Sequence, residues 1–261
     1  MQRILGMALL AWLMLAGQAQ AGRIVKVGVV LFPPYIVLQQ DARGSTLRVE
    51  LLDLMNSFQR DYRFVPVVSG PLRRFHDFDQ GMYDLSFYDN LAWGWKDRAV
   101  DATKVFLRGG EVYVALARHG RDESYFADLS DKRMIGMRGY HYGFAGFNND
   151  PAFLRERFQM SFTDDNEATL RLLLLERGDV AVVTEAYLAG YLIRNPQDKD
   201  RLLISRKKDQ PYSHSIIVRR GARPTVDELN QLLDKMQRAG VLKPLWRKYG
   251  ADAEGNYPDK P

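Results

Sequence analysis

The sequence predicts an α/β fold in two similar lobes, and two observations support this. From Arg23 to Tyr88, short apolar strands alternate with amphipathic helices in the order β-α-β-α-β. That order favours a parallel sheet with right-handed crossovers. From Met134 to Asn195 the same alternation begins again, although no exact repeat is present. A chain of 261 residues is long enough for one large domain or two smaller ones.

In the first lobe, the pattern predicts three strands and two helices. RIVKVGVVLF (23–32) is a strand that Pro33 and Pro34 end. STLRVELLDLMNSFQRDY (45–62) follows as a helix with Leu47, Leu51, Leu54, Met55 and Phe58 on one face. RFVPVV (63–68) is a strand, PLRRFHDFDQG (71–81) a short helix and YDLSFY (83–88) a third strand.

The rest of the chain continues in the same way. KVFLRGGEVYVALAR (104–118) is a long strand interrupted at Gly109 and Gly110. Further strands are predicted in 134–139, 159–164, 179–185 and 213–221. Residues 140–157 are predicted to contain a turn and a helix, and further helices are predicted in 166–178, 186–195, 225–240 and 241–250. Thr225 with Glu228 three residues later is a capping box, so this helix start is well defined.

Residues 1–21 are expected to be a cleaved signal peptide. Arg3 supplies the positive start, residues 4–16 are apolar, and Ala19 to Ala21 have the spacing of a cleavage site. The apolar run is shorter than the ~20 residues of a spanning helix, which disfavours a membrane anchor. The chain has no cysteine, which excludes both a disulfide framework and a lipid-modified N-terminal cysteine. We therefore expect a soluble protein of the bacterial periplasm.

The charge distribution indicates an ordinary solvated surface. The formal net charge is +5 at pH 7, and basic residues are interspersed with acidic ones. A binding surface for nucleic acid would group its basic residues, so no nucleic-acid partner is expected.

Five segments follow one another in the order of a known family. They are LFPPYIV (31–37), TLRVELLDLM (46–55), GMYDLSF (81–87), GDVAVVTEAYLAGYL (178–192) and ELNQLLDKMQRAGVLKPLWRKYG (228–250). They resemble the first strand and turn, the next helix, a G-x-Y-D element, a later strand–helix unit and the terminal helix pair of the periplasmic solute-binding proteins of the polar amino-acid type (bacterial extracellular solute-binding protein family 3). The resemblance covers nearly the whole mature chain.

This resemblance implies a type II, Venus-flytrap fold, in which two crossover strands join two lobes. Lobe one would contain 22–109 and 213–250, lobe two 110–212, and 251–261 would be a flexible tail. Gly109–Gly110 and Asp209–Ser213 would then lie at the crossovers, where small residues can absorb the rotation of closure. Ordinary β-bulges at these positions are the alternative.

Candidate site residues follow the carboxyl ends of the predicted strands, where open α/β sheets bind ligands. Phe32 is expected to form a wall of the cleft, although it could equally pack in the core. Asp89 and Trp93 lie in the loop DNLAWGWKDR (89–98) and could hold a positive group by a carboxylate and an aromatic face. The alternative for this loop is a tryptophan-packed cover of lobe one.

The same loop departs from the family's S-x-T-x-x-R segment, whose arginine grips the ligand carboxylate. This chain has WGWKDR (93–98), so Arg98 keeps the arginine spacing while Trp93 and Trp95 replace the hydroxyl residues. Arg98 is thus the candidate for a carboxylate clamp. It could instead pair at the surface with Asp97 or Asp101.

In lobe two, MRGYHYGFAG (137–146) resembles the family's strand-to-helix turn, where backbone N–H groups favour an anion. Tyr140 and His141 replace small hydroxyl residues there, which predicts a smaller or more aromatic cleft. The alternative for His141 is a capping or surface histidine. Glu185 falls where the family places an acid that binds the ligand's amino group. As an acid at a helix start, Glu185 could also be stabilised without a ligand.

We expect a binding protein rather than an enzyme. Catalytic motifs such as G-x-S-x-G and H-E-x-x-H are absent, and the four histidines (His76, His119, His141 and His214) lack metal-ligand spacing, so neither a metal nor a cofactor is expected. The resemblance implies a monomer that captures an amino acid or a related amine or carboxylate for the permease of an ABC-type importer. The alternatives are a sensing adaptor for a membrane receptor, or a dehydratase-like enzyme using Asp89, His141 and Glu185.

Overall fold

The computed structural model describes residues 22–41, 44–251 and 255, which form eleven strands and seven α-helices. The strands are β1 (Arg23–Val29), β2 (Val37–Asp41), β3 (Gly44–Arg48), β4 (Tyr62–Val68), β5 (Leu85–Asp89), β6 (Val100–Ala102), β7 (Leu107–Leu116), β8 (Met134–Met137), β9 (Ser161–Thr163), β10 (Val180–Thr184) and β11 (Leu202–Arg219). The helices are α1 (Glu50–Phe58), α2 (Arg74–Asp79), α3 (Pro151–Phe158), α4 (Asn166–Leu174), α5 (Glu185–Arg194), α6 (Val226–Arg238) and α7 (Lys243–Lys248).

The strands form two half-sheets that share two long strands. The order is β4-β1-β5-β11-β7-β10-β8-β9, and β6 also pairs with β11. Lobe one is the half with β1, β4 and β5, where β1 runs parallel to both neighbours as predicted. Lobe two is the half with β8, β9 and β10, where β8 is parallel to both neighbours. The antiparallel pair β7–β11 connects the halves.

Apolar side chains cover both faces of each half-sheet. On β10, Val180 and Val182 belong to one buried cluster, whereas Ala181 and Val183 belong to another with α4 and α5. In lobe one, alternate residues of β1 pack against α1, α6 and α7, and α2 covers the opposite face. Because side chains alternate across a strand, a sheet covered on both faces needs continuous apolar runs such as VAVV.

The shared strands differ from the sequence prediction. Gly109 and Gly110 do not interrupt β7, since they pair in register with Tyr212 and Pro211 of β11. A side chain at Gly110 would begin 2.7 Å from the Gln210 carbonyl oxygen, so close strand approach explains this glycine. β11 has 18 residues, and its first half was missed because SRKKDQP is charged and irregular, with register shifts at Lys208 and Gln210.

A second correction concerns the segment before α1. The predicted helix over 45–62 is too long, because residues 44–48 pair with 37–41 in the hairpin β2–β3. The helix begins only at Glu50. Leu47 matched the helical spacing by chance, which is a common ambiguity where a short strand precedes a helix.

The C-terminal helices agree with the sequence prediction. The capping box of α6 is present, since Glu228 N donates to Thr225 Oγ1 at 3.3 Å and Thr225 N donates to Glu228 Oε2 at 2.6 Å. Of the predicted tail, Ala251 is buried and the carbonyl of Gly255 accepts a hydrogen bond from Arg108 N at 2.7 Å. The other tail residues, and the expected signal peptide at 1–21, lie outside the described residues. Within the described ranges, no helix has both the length and the apolar character needed to cross a bilayer.

Gly28 lets a tyrosine reach the helix that carries part of the site. The ring of the buried Tyr83 crosses β1 where a side chain on Gly28 would begin 2.3 Å from Tyr83 Cε2. The Tyr83 hydroxyl then donates to the backbone carbonyl of Arg74 at the start of α2. The glycine is therefore required by close packing.

We expect Gly28→Ala to lower the free energy of unfolding by about 1–3 kcal/mol, because the added methyl forces the Tyr83 ring to move. Urea unfolding measures this change. Gly70→Ala is the control, since no atom of the described residues would lie within 4 Å of its methyl, and it should change stability by less than about 0.5 kcal/mol. Equal stabilities for the two variants would contradict the packing argument.

Candidate ligand-binding site

A small cavity lies between the lobes, next to the end of β5. It is lined from lobe one by Val30, Leu31, Phe32, Ile36, Pro71, Arg74, Ser86, Phe87, Tyr88, Asp89 and Trp93, from lobe two by Gly139, Tyr140 and His141, and from β11 by Gln210 and Tyr212. Its volume is about 60 Å³, on a scale where one water takes roughly 10–15 Å³. Three larger hollows, of about 240, 370 and 310 Å³, are each lined from one lobe only.

Asp89 is held by a buried arginine that the sequence analysis did not identify. Arg74 Nη1 lies 3.3 Å from both carboxylate oxygens of Asp89, and Arg74 Nη2 donates to the Trp93 carbonyl at 2.6 Å. The Ser86 hydroxyl and the Asn90 backbone N–H also donate to Asp89, each at 2.9 Å. Asp89 lines the cavity, but its charge is already neutralised by Arg74.

The end of β5, which carries Asp89, is irregular. Tyr88 has φ +53°, a left-handed conformation that is costly for an aromatic residue. Opposite it, the register shifts, because Asp89 pairs with Ser215 whereas Ser86 pairs with Ile217. Three steps along β5 thus face two along β11, as in a β-bulge. All five residues of β5, including Tyr88 and Asp89, are buried.

Gln210 of β11 joins the lobes at the cavity. Its side-chain oxygen accepts a hydrogen bond from Trp93 Nε1 at 2.9 Å. Its amide nitrogen donates to the backbone carbonyl of His141 and to Glu111 Oε2, the latter at 3.1 Å. Trp93 belongs to lobe one and His141 to lobe two, so one side chain bridges both. The bond between Trp93 and Gln210 also fixes the tryptophan ring edge-on against Tyr212, at 5.0 Å between centroids.

Aromatic rings form most of the cavity wall. The Phe32 ring lies 6.2 Å from Trp93 of lobe one and 5.7 Å from Tyr140 of lobe two. Behind this wall, the buried ring of His214 packs against five aromatic rings, with 5.1–6.0 Å between ring centroids. They are Phe32, Tyr35, Tyr88, Trp93 and Tyr212. Burial lowers the pKa of His214 to about 3, so this imidazole is neutral at pH 7.

His141 faces the cavity from lobe two. The residue is buried, at 9% exposure, and its ring makes no hydrogen bond to the described residues. Burial, and secondarily the positive charge of Arg74, lower the pKa of His141 to about 3. A neutral imidazole carries one donor and one acceptor. The ring can therefore bind a ligand group of either kind.

Arg98 lies outside the cavity. Its guanidinium pairs with Asp79 through Nε and Nη2, both at 3.1 Å, and Nη1 donates to the Gly94 carbonyl at 2.9 Å. The expected surface partners were Asp97 and Asp101, whereas the observed partner is on α2. Arg98 therefore fastens the WGW turn to α2, and Trp95 beneath it is fully buried against Phe75 and Phe78. Nothing in this geometry favours a ligand role for Arg98.

Glu185 is also not among the residues that line the cavity. It is the first residue of α5, and its Oε2 lies 3.0 Å from Lys208 Nζ of β11. The helix start predicted to attract an anion is likewise occupied, because Gly143 N and Phe144 N donate to Asp209 at 2.7 and 2.8 Å.

Of the seven predicted site residues, the structure brings together Phe32, Asp89, Trp93, Tyr140 and His141 at one cavity. Their role in binding stays a prediction.

Sequence reasoning missed Arg74 and Gln210. Arg74 had a detectable signal, since it is four residues before the buried Phe78 and so shares the sheet-facing side of α2. An arginine on an apolar helix face needs an internal partner. Gln210 gave no signal, because it lies in a charged segment without strand periodicity. Among the described residues, no group of histidines and acids could hold a metal ion.

Neither a protein-family model nor a curated protein matches this chain. Solved structures do match. An ABC uptake transporter substrate-binding protein from Streptococcus pneumoniae with bound histidine is 16% identical, with a TM-score of 0.68 over 88% of this chain and 94% of that chain. An ancestral arginine-binding protein bound to arginine is 16% identical, with a TM-score of 0.64 over 88% and 99%. The Bordetella pertussis BvgS periplasmic VFT2 domain is 16% identical, with a TM-score of 0.58 over 86% and 92%.

These similarities establish the fold and nothing finer. The chain has the two-lobed α/β fold of the periplasmic binding proteins, of the Venus-flytrap type. The fold class predicted from the sequence is therefore confirmed. The residues at which the chain passes from one lobe to the other, 109/110 and 212/213, stay predictions.

Glu111 beneath Gln210 gives the lobe junction a pH dependence. Burial, and secondarily the charge of Asp209, raise the pKa of Glu111 from its ordinary 4.5 to about 8. Between these values the folded state keeps a proton that the unfolded state has lost. Protonated Glu111 therefore contributes its full stabilisation of the folded state below pH 4.5. This contribution to the free energy of unfolding is lost as the pH rises to about 8, at up to ~1.4 kcal/mol per pH unit.

We expect Glu111→Gln to remove this dependence, because glutamine can still accept from Gln210 but does not titrate. Urea unfolding of both proteins from about pH 5 to 9 measures the difference. The stability of the wild type relative to the variant should fall up to about pH 8 and then level off. The buried His141 and His214 lower the free energy of unfolding as the pH falls below their ordinary pKa of 6.5. This effect is the same in both proteins, so it cancels in the difference between them. Parallel profiles would contradict the protonated state of Glu111.

Proposed function

We propose that this chain is a periplasmic solute-binding protein that captures a small polar ligand between its lobes. The observation that carries the proposal is a cavity with walls from both lobes, where Phe32 and Trp93 face Tyr140 and His141. A ligand there would contact both lobes at once. Contacts made only in the closed form favour closure, as a hinged binding protein requires.

The similar structures support a small solute and a transport partner. Two of them hold bound histidine and bound arginine, and one of these two belongs to an ABC uptake transporter. By analogy the partner of this chain would be the permease of an ABC-type importer. The signal peptide expected at residues 1–21 would deliver the mature protein to the periplasm.

A sensory role is the second candidate. Similarity to the BvgS periplasmic VFT2 domain supports it. So does the bridge from Trp93 through Gln210 to the His141 carbonyl, which joins the lobes by the protein's own hydrogen bonds. A domain that closes without ligand could report binding by opening.

An enzymatic role is disfavoured by the positions of the three candidate acid and base residues. Asp89 is neutralised by Arg74, Glu185 pairs with Lys208 away from the cavity, and only His141 faces it with an unpaired ring. Acid–base catalysis needs groups that converge on one substrate position. We therefore favour binding without turnover.

We expect thermal melting of the mature protein, refolded to remove carried-over ligand, to shift with one member of a panel of amino acids, amines, carboxylates and amides. At 100 times its dissociation constant, a ligand adds ~2.7 kcal/mol of stability, or roughly 5–10 °C for a chain of this size. X-ray scattering with and without that compound separates the two candidates. A solute binder should become more compact, whereas the sensory alternative should open.

The control is a matched pair of histidine variants. His141→Trp fills the cavity and should abolish the shift, whereas His76→Trp, at an exposed position of α2, should keep it. A shift that survives in His141→Trp would place binding elsewhere. No shift across the panel would contradict the proposed function.

A further inference from the structure

The charged groups lining the cavity neutralise each other. They are Arg74 and Asp89, whose side chains are 11% and 4% exposed. A carboxylate offers about four acceptor positions, and those of Asp89 are taken by Arg74, Ser86 and Asn90. Asp89 therefore has no free position for a ligand ammonium group.

Three other titratable groups that line the cavity or contact Gln210 in its wall are uncharged at neutral pH. His141 is neutral because burial lowers its pKa to about 3. Glu111, which contacts Gln210 behind the wall, is mostly protonated because burial raises its pKa to about 8. Burial also raises the pKa of Tyr140 well above its ordinary value. The site as a whole thus carries no net charge.

Hydrogen-bonding capacity nevertheless remains on both sides. Arg74 is buried, and its Nε has no hydrogen-bond partner in the described structure. The Tyr140 hydroxyl is buried and unsatisfied. The ring of His141, which lines the cavity, makes no hydrogen bond to the described residues. Buried donors without partners are costly, so a ligand oxygen that accepted from them would be favoured.

We propose that the ligand is a small uncharged molecule with a carbonyl or amide group that accepts hydrogen bonds from Arg74 of lobe one and His141 of lobe two. Its apolar part would contact Phe32, Trp93 and Tyr140. This inference rests on the proposed function and narrows its ligand class.

The reason is the cost of an unpaired charge inside the closed protein. An anion would compete with Asp89 for Arg74 and leave the site with excess negative charge. An ammonium group would find the carboxylate of Asp89 already occupied and the carboxyl group of Glu111 mostly protonated. A zwitterion would meet both difficulties at once, whereas an amide or ketone brings only hydrogen-bonding groups.

The test compares compounds with one carbon skeleton and different charge. Propionamide, propionate, propylamine and alanine form one set, and 3-phenylpropionamide, 3-phenylpropionate and phenylalanine form another. We expect the amide to bind at least tenfold more tightly than its charged relatives by titration calorimetry, with an affinity unchanged between low and high salt. If none of these compounds binds but other members of the thermal-melting panel do, the net charge of the tightest binder decides whether the inference holds.

Tighter binding of an ion or zwitterion would overturn this inference and leave solute binding intact. Failure of every compound, in these sets and in the wider panel, would overturn both. The two proposals therefore fail differently.

A specificity switch tests the charge balance itself. Asp89→Asn leaves Arg74 unneutralised and makes the site cationic, so propionate should gain at least tenfold over propionamide relative to the wild type. The control is Asp79→Asn, which alters the pair with Arg98 outside the cavity and should leave the preference unchanged. An unchanged preference in a folded Asp89→Asn protein would overturn the inference. If that variant does not fold, the comparison of compounds on the wild-type protein still decides.

Two further variants test the donors without changing Asp89. His141→Leu should weaken binding of the preferred compound at least fivefold. Arg74→Lys keeps the charge but removes the planar fork, and should also weaken binding. Arg73→Lys is the matched control on the neighbouring exposed arginine and should stay within twofold. Unchanged affinity in both His141→Leu and Arg74→Lys would contradict the assigned contacts.

Discussion

The cost of burying an unpaired charge organises the centre of this molecule. Each charged or anion-binding group that the sequence suggested for a ligand has an internal partner instead. The cavity that remains between the lobes is consequently small, aromatic and electrically balanced. The pairs are Asp89 with Arg74, Glu185 with Lys208, Arg98 with Asp79, and the helix start at Gly143 with Asp209.

The second organising element is the antiparallel pair β7–β11, which belongs to both half-sheets. Because Gly110 has no side chain, the strands approach closely there, and Gln210 next to it reaches both lobes. The same amide group touches Trp93, Glu111 and the His141 carbonyl. The junction between the lobes therefore also lines the candidate site.

Much of the fold could be predicted from the sequence, because apolar periodicity reports burial directly. The parallel strands of both lobes and the capped α6 are examples. Within the site, the aromatic Phe32, Trp93 and Tyr140 were predicted because they follow strand ends. Arg98 and Glu185 were predicted to bind the ligand because they occupy positions that bind ligands in the family. A position in the family pattern does not reveal the internal partners Asp79 and Lys208. The position of Gln210 follows from the register of its strand. A charged and irregular segment does not encode that register in its hydrophobic pattern, so Gln210 could not be predicted.

Arg74 and Asp89 form a buried pair beneath the cavity, and each depends on the other for its stabilisation. A double-mutant cycle of Arg74→Met and Asp89→Ala, read by urea unfolding, measures this dependence most directly, with Arg98→Met and Asp79→Ala as the exposed comparison. We predict a coupling free energy of roughly 2–3 kcal/mol for the buried pair and below about 1 kcal/mol for the exposed pair. A coupling no larger for Arg74 and Asp89 than for Arg98 and Asp79 would contradict the account.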